Sequence, residues 1–69
     1  MSTTVAPARP AGAWARDLAN RYDILAEHYE ACGQPLGASL NRAEAAKYHQ
    51  IAADTDAAFP GGVPAVLEV

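Results

Sequence analysis

Residues 14–33 read WARDLANRYDILAEHYEACG. Ala15, Leu18, Tyr22, Leu25, Tyr29 and Cys32 recur here at alternating steps of three and four. That spacing places all six on one face of an α-helix. Ala19 and Ala26 widen the face, as a core-facing helix requires. No Gly or Pro interrupts the stretch before Gly33, so the spacing predicts a helix over about residues 11–32. Gly33 is placed as the left-handed residue that ends it, with Pro35 two positions later. Leu25 stands at the centre of the seam, and Leu25→Ala is expected to cost roughly 2–5 kcal/mol as a buried truncation. Ile24, one step round the wheel, is expected to matter much less.

Beyond Gly33, the segment GQPLGASL (33–40) reads as a turn, with Leu36 and Leu40 tucked beneath it. A second helix is expected from Asn41 to Phe59. Asn41 followed by Glu44 resembles a capping box, with Ser39 as a competing cap. Pro60-Gly61-Gly62 stops this helix. Its stripe is Ala45, Tyr48, Ile51, Ala52, Thr55 and Phe59, a thin one in which alanines do much of the covering. Small residues of this kind let two helices approach closely. Residues 1–10, with two prolines and small polar side chains, are expected to form a flexible arm. Residues 60–69 form an apolar tail that is expected to lie across the hairpin or against a second chain.

The expected fold is therefore all-α: an antiparallel two-helix hairpin (about 11–32 and 41–59). The chain has 69 residues and one cysteine. Below roughly 70–80 residues a lone core rarely supplies more than about 3–5 kcal/mol. No internal disulfide can form, so burial against a partner is the expected source of stability. Two hairpins pairing as a dimeric four-helix bundle are the simplest arrangement. The candidate core and interface residues are Trp14, Leu18, Tyr22, Leu25, Tyr29, Tyr48, Ile51 and Phe59.

Charge and composition exclude several classes. The net charge is −3, and Arg9, Arg16, Arg21, Arg42 and Lys47 form no run. The basic footprint of a nucleic-acid binder is missing. No apolar run approaches the ~18 residues of a membrane span, and no secretory leader pattern is read at the start. A lone Cys fits a reducing compartment, and the expected location is cytoplasmic. Asp17 and Arg21 are spaced to pair on the outer face. Glu27 and Glu30 oppose the dipole at the end of helix 1. They serve either as a solubilising acidic face or as the mates of a basic residue.

No catalytic or cofactor signature stands out. Cys32 is placed at a helix C-terminus, where a thiolate is disfavoured, and reads as a small buried hydrophobe. His28 and His49 each adjoin a Tyr and could lie at similar heights near Glu27 and Glu44. His28 flanks the seam, and the Glu-x-x-His spacing of di-metal bundles is absent. No metal or cofactor is expected. Tyr22, Leu25, Ala26, Tyr29, Gly33, Ala38 and Ala45 fall at spacings similar to those of a tetratricopeptide-type helical repeat, over about half the chain. Arg42 stands where that family carries an aromatic, Gln50 where it carries a helix-ending Pro, and Gly37 falls inside the second helix. A single copy cannot stack into a solenoid, so the match is read as convergence on hairpin packing. The expected function is a non-enzymatic helical protein acting by protein–protein association, as adaptor, inhibitor or regulator, most simply as a homodimer. The expected partner is itself or another protein, with no membrane and with nucleic acid disfavoured. The alternatives are a nucleic-acid-associated transcriptional regulator, or a small metal- or ligand-binding bundle resting on His28 and His49.

Overall fold

The structure, a computed structural model, describes residues 8–64. Residues 1–7 of the expected arm, and Val66, Leu67 and Val69 of the expected tail, lie outside the described residues. Four elements follow in order: β1 (Ala8–Arg9), α1 (Ala13–Ala31), α2 (Pro35–Ala58) and β2 (Val63–Pro64). The two helices pack against each other as a hairpin.

Gly12 is the N-cap of α1, and its carbonyl accepts from the Arg16 N–H at 3.0 Å. It ends as expected. Gly33 adopts φ +74°, a left-handed conformation that costs glycine little. The Gln34 N–H then reaches the Tyr29 carbonyl at 2.9 Å, and the Gly33 N–H reaches that of Glu30 at 3.0 Å. This pair of bonds is a Schellman motif, which satisfies carbonyls the helix would otherwise orphan.

Helix α2 starts at Pro35, not at Asn41. The connection is only residues 32–34. Pro35 occupies the first turn, where its missing N–H costs nothing. Gly37 is inside the helix for a packing reason rather than a turn. A Cβ on it would meet the Tyr29 ring at 2.8 Å. Asn41 does not cap: its side-chain amide donates to the Gly37 carbonyl one turn back, at 2.8 Å. Ser39 and Glu44 likewise sit within the helix, and Glu44 pairs with Lys47 at 3.4 Å. Leu36 and Leu40 are not tucked beneath a turn but exposed on the helix surface. Helix α2 ends at Ala58, and Pro60 and Gly61 make a turn closed by the Gly62 N–H to the Phe59 carbonyl at 2.8 Å.

The core differs in kind from the expected seam. Ala15, Ala19 and Ala26 of α1 face Ala38, Ala45 and Ala52 of α2, and all six are essentially inaccessible to solvent. No larger side chain is fully buried among the described residues. Ala19 and Ala26 are seven apart, as are Ala38, Ala45 and Ala52, which is the repeat that keeps one seam facing a partner helix. Gly12 continues the α1 series toward its start, and a Cβ there would collide with the Ala52 backbone. Small side chains draw the two backbones together. The larger residues of the expected seam cannot fit between them and are displaced to its side.

The chain ends are tied. Arg9 pairs with Val63 and Ala8 with Pro64 in an antiparallel ladder. Ala8 and Arg9 of the expected arm are thus held. Gly62 enters the ladder at φ +79°, and a Cβ on it would lie 2.5 Å from the Arg9 carbonyl oxygen. The described start of the tail therefore docks on β1 rather than across the helices.

Candidate association surface

The alanine seam divides the hairpin into two flanks. One flank is closed by polar side-chain pairs from helix to helix. Arg16 meets Asp56, Asp23 meets His49 at 3.0 Å, and Glu30 meets Arg42 at 2.5 Å. As α1 advances by seven, α2 retreats by seven, so the rungs share the repeat of the alanines. Arg42 grips Glu30 with two nitrogens, the second at 3.5 Å, and this pairing raises its already high pKa. Arg42 is thus the basic mate for the acidic end of α1.

The Asp56 rung also starts the hairpin. Its Oδ1 accepts the Gly12 N–H at 2.6 Å, and its Oδ2 accepts from the Arg16 guanidinium. A carboxylate from α2 thereby satisfies an orphan donor at the N-terminus of α1, where no side chain of the local sequence caps. The Gly12 hydrogen bond, and then that from Arg16, hold the Asp56 carboxyl below its ordinary value. Asp17 turns to Arg9 at 3.8 Å instead of the expected Arg21.

The opposite flank is apolar. Tyr22 stacks on Tyr48 across the seam, with centroids 5.7 Å apart and planes within 8°. Trp14 meets the edge of Tyr48 at 6.5 Å, and the Lys47 ammonium lies 5.2 Å from the Tyr48 centroid. Leu18 and Leu25 lie one turn after Trp14 and Tyr22 on the same side of α1, and Tyr29 follows Leu25 by one turn. Ile51 lies one turn after Tyr48 on α2, and Leu40 lies three turns before Ile51. Leu18, Tyr22, Tyr29, Tyr48 and Ile51 are half-buried. Trp14 is 56% exposed, Leu25 44% and Leu40 61%. Seven of the residues read as core or interface thus come together on one surface, though none is enclosed.

Phe59 stands apart, at the end where the chain termini meet. It is exposed and lines an open pocket of about 270 Å³ with Arg9, Asp56 and Gly62. Cys32 is exposed rather than buried, because it caps α1 beyond the last alanine of the seam. Its Sγ lies 3.8 Å from His28 Nε2. His49 is engaged by Asp23 on the ion-pair flank. The two histidines therefore do not converge. Among the described residues no group of three or more His, Cys, Asp or Glu side chains is placed to hold a metal. No helix there is long and apolar enough to cross a membrane.

The ion-pair ladder is what the sequence reading missed. Its signal was available: Arg16, Asp23 and Glu30 recur every seventh residue, as do Arg42, His49 and Asp56. Comparison of the chain with known proteins returned no matching family model, curated protein or solved structure.

Proposed function

We propose that this chain is a non-enzymatic association module that binds protein through the Trp14–Leu18–Leu25–Tyr48 flank, most simply a second copy of itself. One observation carries the reading. The polar flank already pairs Arg16 with Asp56, His49 with Asp23 and Arg42 with Glu30, whereas the apolar flank leaves Trp14, Leu25 and Leu40 in water. Exposed apolar side chains grouped around aromatics mark protein interfaces. Stability favours the same reading. An alanine-only core removes little apolar surface from water, and burial of larger side chains is worth roughly 1.5–3 kcal/mol each. Covering the flank supplies what the seam lacks.

Light scattering at micromolar concentration tests this. The chain is expected at twice its 7.2 kDa mass. Leu25→Asp is expected to return it to single-chain mass. Ile24→Asp, on the outer face, is expected to leave the mass doubled. A folded single chain at every concentration refutes self-association.

A further inference from the structure

The C-terminal end of α1 carries two metal-ligating side chains one helical turn apart, His28 and Cys32. Both are exposed, and Cys32 Sγ lies 3.8 Å from His28 Nε2. A thiolate at about 2.3 Å and an imidazole nitrogen at about 2.0–2.1 Å from a tetrahedral zinc ion stand about 3.6 Å from each other. The observed separation matches that of two ligands sharing one ion. We propose that His28 Nε2 and Cys32 Sγ form a bidentate half-site for a divalent cation of the zinc class. Three features support this chemistry. The four-residue spacing is set by the helix itself, so both donors are presented before any ion arrives. Thiolate and imidazole select borderline and soft ions over magnesium or calcium. The site also lies at a helix C-terminus, whose partial negative charge favours the bound cation while opposing a free thiolate, so the ion itself must displace the thiol proton.

On binding, the Cys32 thiol gives its proton to solvent and the sulfur donates an electron pair to the metal. His28 binds as the neutral imidazole through the Nε2 lone pair, with its proton on Nδ1. No electron is transferred. The other two tetrahedral positions are open to water or an external donor. This differs from a site shared by His28 and His49, which the Asp23–His49 pair separates.

Titrating the reduced full chain with cobalt(II), and reading the thiolate-to-cobalt charge-transfer band, tests the proposal. The band is expected to grow and saturate. Cys32→Ser is expected to abolish it. His28→Ala is expected to raise the half-saturating cobalt concentration by roughly tenfold or more, since even supporting groups cost about 10–100-fold. His49→Ala is expected to titrate like the parent chain. All three positions are exposed, so circular dichroism of each variant should show the helices retained. Absence of the band at millimolar cobalt overturns the proposal. So does a His28→Ala chain that titrates like the parent, because the thiol would then be binding alone.

Discussion

The two flanks of this hairpin are built from the same repeat and end in opposite states. Along one, residues 16, 23 and 30 meet 56, 49 and 42 in polar rungs, the outer two of them Arg–carboxylate ion pairs. Along the other, residues one or two positions away on the same helices are aromatic or aliphatic, and no second layer covers them. The difference shows how a very thin core can still define a register. The alanines set how close the helices come, and the rungs set how far one slides along the other. A slide by a full turn, about 5.4 Å, would separate every rung. On the apolar flank the Tyr22–Tyr48 stack adds one contact between the helices, while Trp14, Leu25 and Leu40 stay exposed.

Four perturbations separate these contributions. The largest effect is expected in the seam. Ala45→Leu forces extra volume between close backbones and should cost about 3 kcal/mol, the upper range of overpacking. Thermal unfolding by circular dichroism would read this. A variant as stable as the parent would mean that the alanines do not set the helix separation.

Next comes the apolar flank. Leu25→Ala should cost about 2 kcal/mol at concentrations where chains associate. In a dilute single chain it should approach the smaller cost of Ile24→Ala, because Leu25 and Ile24 are both exposed there, at 44% and 65%. Equal effects of the two changes at all concentrations would remove the distinction between this flank and the outer face.

The Asp56 rung is expected to respond to acid. Its carboxyl is held below the ordinary value by the Gly12 N–H and by Arg16. The folded state therefore binds this proton less readily than the unfolded chain. The stabilisation is complete above the unfolded value, near pH 4, and is lost as pH falls through the lower folded value. Asp56→Asn should melt lower at neutral pH and flatten this acid limb. An unchanged limb would place the acid sensitivity elsewhere.

The smallest effect is expected at the middle rung. His49→Ala removes one surface pair, worth at most about 1 kcal/mol. A larger loss would show that the ladder acts cooperatively.

The sequence carried the hairpin clearly and its seam only in part. The Trp14–Gly33 stretch announced a helix and its stop, because periodicity and a left-handed Gly are local signals. The start of α2 was misplaced because Gly37 imitates a turn residue, while its actual role is to make room for Tyr29 across the seam. That role is a tertiary fact. Leu18 and Leu25 drew attention as the largest members of the periodic face. Hydrophobicity alone does not show that small neighbours, packing first, exclude larger ones from the centre. Cys32 shared the spacing but lay beyond the last buried turn. The charged heptads were legible in principle, though only by comparing the two helices in antiparallel register.

The short β1–β2 ladder has a mechanical consequence. Residues 8 and 64 lie side by side, so a chain attached at either point leaves from the same end of the hairpin. Tension applied between these points would not stretch the helices. It would peel the ladder open one pair at a time, as a zipper is opened, beginning at Ala8 and Pro64. The load would pass next to Arg9 and Val63, then to the Asp56 contact with Gly12, and only then to the alanine seam. The clasp is therefore a sacrificial joint, and it yields before the body of the hairpin feels the pull.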